Sequence, residues 1–381
     1  MRGPNLSLFL AMILGLIARE VQAQASAPTA LPNGGFASSA TNGGNVINDA
    51  GQIVGYGVPG GLPVPVLWAS PTSAPAPLPV GAFTGQQFAA RGINNSGQII
   101  GEFGSGFGQT PIYWSSPTSG PTVLSSGSFF GVSPIGINNL GQIVGSPVFD
   151  PAALFWSSPA ATPVALPNGA FQPPISASGI NDVGQIVGYG TPSGGGSFVP
   201  ILWPTPTSNP IALPTGGLAL PMSANGINNA GQIVGQSNNY GAALFWQSPT
   251  SAPSALPVGS FTTPIAAMGI NSAGQIAGFG LSAGSQVALL WTLPTVSGLR
   301  ASVTALVTSG QLSPSYGSLL KQILDSVSLR ILQGRPAAAI LLLNSFNNYV
   351  SKFVLSGALT SGNGNSLLLQ STSIQAALAL P

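Results

Sequence analysis

The sequence predicts an all-β, six-bladed β-propeller of roughly 45-residue, four-stranded repeats, followed by a small C-terminal α-helical bundle. Three observations carry that expectation. The phrase G-x-N-x-x-G-Q-I-V-G recurs six times, with its glutamine at Gln52, Gln98, Gln142, Gln185, Gln232 and Gln275. All six tryptophans (Trp68, Trp114, Trp156, Trp203, Trp246 and Trp291) occur once per copy, at the end of an apolar run such as VPVLW or TPIYW. After Pro294 the apolar spacing changes to steps of three and four. Self-similarity at a period of about 43–47 residues signals stacked or radially repeated units.

Residues 1–27 read as a signal peptide. Arg2 supplies the positive charge, LSLFLAMILGLIA (6–18) the apolar stretch, and Ala23-Gln24-Ala25 or Ala25-Ser26-Ala27 the small-x-small cleavage pattern. The apolar stretch is short for a bilayer span, no later run of 18 apolar residues follows, and no Cys is present for lipid attachment. The expected product is exported, to a bacterial periplasm or the cell exterior, with no transmembrane segment after cleavage.

Residues 28–297 hold the six repeats. In residues 83–125, FTGQQFAARGIN ends in a strand, Asn95-Ser96-Gly97 turns the chain and QIIGEF returns it. The turn requires a residue tolerant of positive φ at its end, and Gly51, Gly97, Gly141, Gly184, Gly231 and Gly274 stand there. Asp49, Asn95, Asn139, Asp182 and Asn229, with Ser272 as the exception, are expected to bond their own backbone as Asx turns. The preceding Asn48, Asn94, Asn138, Asn181, Asn228 and Asn271 are read as blade-building residues, together with the six tryptophans. A third strand ends at the tryptophan, and a Pro/Ser/Thr turn leads to a short fourth strand before Leu-Pro. The Leu-Pro before each repeat, with one more after the last, stands at Leu31, Leu78, Leu166, Leu213, Leu256 and Leu293, with Leu124-Ser125 as a variant, seven in all. The surplus copy lets a strand around residues 28–34 pair with the last blade and close the ring, removing exposed edges. An open array or a β-sandwich stays compatible with the same pattern.

These hairpins resemble the HAF-type extracellular repeat of exported bacterial proteins, which joins an IN-x-x-G-Q-V-V-G hairpin to a strand with an aromatic end. The resemblance covers about 270 residues. Here Ala-Ala-Leu-Phe-Trp or Val-Pro-Ile-Leu-Trp replaces the family's His-Ala-Phe, so no histidine role carries over. The resemblance implies a secreted, propeller-like protein and no particular activity.

Residues 298–381 are expected to form four short amphipathic helices. Their apolar stripes run through Val303, Leu306 and Val307; Leu319, Leu320, Ile323, Leu324, Val327 and Ile331; Ala338, Leu342, Phe346, Val350 and Val354; and Leu367, Leu368 and Ile374. Gly310, Gly334 and Gly357 are the stops, Pro314 and Pro336 stand near starts, and SGNGNS (361–366) is expected to be a loose connection. Gly310-Gln311-Leu312, Leu324, Gly334, Ala338, Phe346, Val350 and Gly357-Ala358-Leu359 resemble a FIMAH-type helical domain, although this segment carries fewer charges. That likeness implies an accessory module for attachment or association.

The chemistry is sparse. The chain has no His and no Cys, which removes the commonest general base, the thiol nucleophile, the usual zinc ligands and disulfides. Residues 28–297 carry Asp49, Glu102, Asp150 and Asp182 against Arg91, while residues 298–381 carry Arg300, Lys321, Arg330, Arg335 and Lys352 against Asp325. Those spread cations do not form a nucleic-acid stripe. Glycoside hydrolysis needs paired carboxylates, and Glu102 and Asp150, outside the turns, show no partner in the sequence. Serine lacks both a histidine base and a G-x-S-x-G elbow. No catalytic, metal or cofactor residues are therefore assigned, and a polysaccharide-active enzyme is the least favoured reading.

The tryptophans suit packing between sheets or an aromatic ladder for sugars. The Asx turns invite calcium, but only two of six carry Asp. The residue preceding Gly-Ile-Asn varies as Asn45, Arg91, Ile135, Ser178, Asn225 and Met268. If it faces the channel, Arg91 is the one charge there, and Arg91, Asn45 and Asn225 are the candidate ligand-binding residues. The expected partner is a glycan, an extracellular polymer or a protein; the alternative is a structural protein that self-assembles.

Overall fold

The computed structural model describes residues 25–104, 108–148, 150 and 152–379, so the expected signal peptide lies almost wholly outside the described residues. Residues 27–292 form one compact unit, and a second begins at Leu293.

The first unit is a six-bladed β-propeller of four-stranded antiparallel sheets. Residues 38–77, 88–123, 132–165, 171–212 and 222–255 make blades 1 to 5, each from four consecutive strands. In blade 2 these are Phe88–Ile93, Ile99–Phe103, Thr110–Trp114 and Thr122–Val123, from the axis outward. Blade 6 takes three strands from residues 262–292 and its outermost strand, Thr29–Ala30, from the other end of the repeat array. The N–H of Leu31 adds a bond of 2.9 Å to the Ala288 carbonyl. The ring is closed by this strand, which leaves only two-residue outer edges as templates for further pairing.

Two residue types hold neighbouring blades together. Each tryptophan is fully buried, and its indole N–H donates to a carbonyl of the preceding connection: Trp68 to Pro32, Trp114 to Pro79, Trp156 to Ser125, Trp203 to Pro167, Trp246 to Pro214 and Trp291 to Pro257, all at 2.7–2.8 Å. Burying an indole removes roughly 200 Å² from water, on the order of 5 kcal/mol by area.

Nearer the axis lies a ring of six asparagines. The Asn48 amide donates to the Asn94 carbonyl, and the relation passes in turn to Asn138, Asn181, Asn228 and Asn271 at 2.9–3.2 Å. Asn271 returns it to the Asn48 carbonyl at 2.9 Å, joining blade 6 to blade 1. The second amide hydrogen of each goes to the side-chain oxygen of the motif glutamine, and each Oδ1 accepts the glutamine N–H, as in Asn94 with Gln98 at 2.7 and 3.0 Å. These Oδ1 atoms also close the turns: Asn94 accepts from Ser96 N–H at 3.1 Å. The own-backbone turn bond thus belongs to the first Asn of each pair, a correction to the Asx reading of Asp49, Asn95, Asn139, Asp182 and Asn229. The terminal glycines do adopt the expected left-handed conformation, as at Gly97 with φ 75°.

The second unit contains α1 (Val296–Thr308), α2 (Pro314–Leu332), α3 (Pro336–Leu355) and α4 (Ser361–Leu378). Thr295, Ser313 and Thr360 cap α1, α2 and α4 by accepting from the N–H three residues on. SGNGNS is therefore the start of α4, not a loose connection. The Thr360 cap outweighs the low helix propensity of its Gly and Asn residues once α4 is packed. The α3 stripe is also shifted: Ala339, Leu343, Phe346, Val350 and Phe353 are buried, while Ala338 and Leu342 flank them. Ile331 is exposed.

This unit is a helical hairpin written twice. Shifting by 47 positions superposes Val303 on Val350, Val307 on Val354, Gly310 on Gly357, Leu312 on Leu359 and Gly317 on Gly364. The turn bonds repeat as well, Leu312 N–H to Leu306 O at 3.0 Å and Leu359 N–H to Phe353 O at 3.1 Å. A β-carbon on Gly317 would lie 2.1 Å from Val307 Cγ2, and one on Gly364 2.2 Å from Val354 Cγ2. Glycine at those two places lets the helices of each hairpin meet.

Asn271→Ala removes the acceptor of the Gln275 N–H and the donor to the Gln275 side-chain oxygen, each unsatisfied buried group costing about 1–3 kcal/mol, while the Asn48 carbonyl keeps only the Gly51 N–H. Urea denaturation of the propeller is expected to show a loss of about 3 kcal/mol, against about 1 kcal/mol for Asn229→Ala at the exposed rim. Gly364→Ala is expected to lower the stability of the helical unit by about 1–3 kcal/mol, and Val354→Ala in the same chain to restore part of it by removing the clashing methyl.

Candidate functional site

The two ends of the propeller axis differ in chemistry. At the hairpin-tip end, the exposed Asx side chains form an outer ring above the asparagine ring. Asn95, Asn139, Asp182, Asn229 and Asp49 each accept the backbone N–H of a neighbouring blade at 2.7–2.9 Å. Asp49 and Asp182, on blades 1 and 4, also accept side-chain amide hydrogens from Asn95, Asn139 and Asn229 at 2.7 Å. Each of their four oxygens therefore already holds an N–H. Among the described residues no three acidic groups come together as metal ligands.

The axis itself is filled by Gly43-Gly44-Asn45, a departure of the first copy from the repeat. Asn45 pairs with Gly92 in a parallel bridge and accepts the Ile93 N–H at 2.8 Å, on blade 2. Gly44 N–H donates to Ile135 O at 2.9 Å, on blade 3. The Asn45 side chain reaches blade 4, donating to Ile180 O and accepting from Ile180 N–H, both at 3.1 Å. A β-carbon on Gly44 would sit 1.7 Å from Ser178 O and 2.7 Å from Asn225 O, so only glycine passes here. This segment separates the ends of the ring.

The residue before Gly-Ile-Asn is the extra residue of a β-bulge in blades 2 to 6, as the register shift between Ala90 and Gly92 illustrates. The three candidate residues consequently go to different places. Asn45 is the axial plug. Asn225 is buried, donating to Ala267 O at 2.9 Å and accepting from Ser223 Oγ at 2.9 Å, which ties blade 5 to blade 6. Arg91 points at Glu102 across its own hairpin.

Glu102, read as lacking a second carboxylate, has a cationic partner. Arg91 Nε donates to Glu102 Oε1 at 3.1 Å, Nη2 donates to the same oxygen, and Nη1 donates to the Asn42 carbonyl at 2.6 Å. Ser133 Oγ, from blade 3, donates to Glu102 Oε2. The Glu102 side chain is 6% exposed and that of Arg91 18%. Asp150 lies apart, exposed.

The pair lines a cavity of about 230 Å³ bounded by blades 1 and 2, with Asn42, Tyr56, Gln87, Phe88 and Gln109 around it. Tyr56 donates to Gln286 Oε1 at 3.0 Å; burial pushes its phenol above the usual range, and the nearby Arg91 charge draws it partly back. Sequence reasoning missed Tyr56, Gln87 and Gln109. Tyr56 occupies the position after the last motif glycine, which differs among the copies as Tyr56, Glu102, Ser146, Tyr189, Gln236 and Phe279. That variation was the available signal.

No family model and no curated protein matches the chain. Among solved structures it is similar to YCF48 from Cyanidioschyzon merolae, at 9% identity and TM-score 0.42, over 71% of this chain and 99% of that one. The β-propeller domain of the Trilobed protease from Pyrococcus furiosus is similar at 11% identity and TM-score 0.39, over 67% and 95%. A streptogramin B lyase is similar at 13% identity and TM-score 0.37, over 70% and 86%. These likenesses concern the fold, which serves binding and catalysis alike.

Glu102→Ala is expected to leave the Arg91 guanidinium largely buried without its counter-charge, lowering stability by about 3 kcal/mol. The double variant Arg91→Leu, Glu102→Leu is expected within about 1 kcal/mol of the parent, because apolar replacement of a whole buried pair is close to neutral. Denaturant titration of the three proteins checks both.

Proposed function

We propose that this is an exported, non-catalytic propeller that binds an extracellular glycan on the face opposite the asparagine rings. One observation carries the reading: Tyr56, Arg91 and Glu102, at positions that differ from blade to blade, line one cavity there, and two of them form a largely buried ion pair. Small-ligand sites are concave and carry a few oriented polar groups, as this cavity does. The hairpin-tip end has its polar groups committed to one another, and the plug keeps the faces apart.

A carbohydrate fits the lining better than a reaction does. The cavity presents one carboxylate, held by Arg91 and Ser133, where glycoside hydrolysis uses two facing carboxyl groups. Export is supported by the charge, apolar and small-residue pattern of residues 1–27. Among the described residues no helix is long and apolar enough to cross a membrane.

A glycan array probed with the chain from residue 28 onward is expected to give saturable binding to a restricted set of saccharides. A blank array, with concentration-dependent oligomers in sedimentation, opposes this reading and favours self-assembly.

A further inference from the structure

We infer that the Arg91–Glu102 cavity is the seat for one neutral sugar residue of that glycan, an assignment that rests on the glycan-binding reading above. The two ionised side chains in the cavity neutralise one another at hydrogen-bond range, so a further anion meets the Glu102 carboxylate and a further cation meets the Arg91 guanidinium. A neutral ligand meets neither.

The cavity also keeps unused hydrogen-bonding capacity. Guanidinium has five N–H groups, and those of Arg91 given to Glu102 and Asn42 number three; a carboxylate has about four acceptor sites, and Glu102 fills three with Arg91 and Ser133. Tyr56 donates its phenolic hydrogen to Gln286 and keeps an acceptor lone pair. The Gln109 carboxamide lies 3.2 Å from Ser133 Oγ, whose single hydrogen goes to Glu102, so Gln109 brings both donor and acceptor capacity to the wall. Among the described lining residues, Arg91 and Gln109 thus offer donors, and Glu102, Gln109 and Tyr56 acceptors. A hydroxyl both donates and accepts, and a ring of adjacent hydroxyls satisfies such a mixed set.

About 230 Å³ admits one pyranose ring rather than a chain, and the aromatic residues Tyr56 and Phe88 are among those lining it, as suits the C–H side of a sugar. The remainder of a glycan would run outward past Gln87, which is exposed at the rim.

The test uses the chain from residue 28 with glucose, galactose, mannose and N-acetylglucosamine, and with glucuronate and galacturonate, measured by calorimetry or ligand-observed NMR. At least one neutral sugar is expected to bind, and its uronate to bind at least about tenfold more weakly. Gln109→Ala and Tyr56→Phe are expected to weaken binding about tenfold each. Arg91→Leu with Glu102→Leu is expected to abolish it, with the thermal transition retained in every variant. Undiminished binding in folded variants, or tighter binding of the uronate, overturns the assignment while leaving the glycan reading intact. Failure of the free sugars and of the glycan array together overturns both.

Discussion

The propeller depends on a single polar group, the carboxamide of a buried asparagine, used six times. An amide has two N–H donors and an oxygen that accepts twice. Each inner asparagine spends one donor on the next blade and the other on its own glutamine, and its oxygen on its own turn. Aspartate lacks both donors and would place an unscreened charge in the ring, and alanine breaks the bond to the next blade and leaves the glutamine N–H without its acceptor. The hairpin phrase is constant because the same side chain shapes the turn and joins the blades.

Radially, that ring is paired with the tryptophan layer. The indole is large enough to fill the widening space between sheets and carries one donor, which reaches the preceding connection. Polar contacts near the axis set the register of the blades, and apolar burial farther out supplies most of the free energy. Because these interactions repeat identically, they are indifferent to what the other end of each blade carries. The first copy uses that freedom to send Gly43-Gly44-Asn45 through the axis, and the second to set Arg91 against Glu102.

The helical unit follows the same economy on a smaller scale. One hairpin design appears twice, with a serine or threonine cap, a left-handed glycine before it and a glycine facing a valine. Its charged groups lie mainly at the surface, as in the exposed pair of Arg300 with Asp325 at 2.8 Å. The structure ties the unit together through apolar packing of Leu299, Val303, Leu343, Phe346 and Val350.

Much of this was legible from the sequence because it is local or periodic. The six blades, the closing strand near residue 29, the left-handed turn glycines and the four helices all follow from spacing and turn chemistry. The site was less legible. The Arg91–Glu102 pair was hidden because it crosses a hairpin and is aimed by a bulge, which adds one residue to the count. Asn45 and Asn225 stand at equivalent places in the repeat, yet one crosses the axis and the other is buried between blades. What the sequence determined by itself was the repeating frame, since each repeat encodes its own strands and turns. Only the tertiary structure decided which non-repeating side chains meet, because ring closure brings together residues such as Asn45 and Ile180 that no local rule relates.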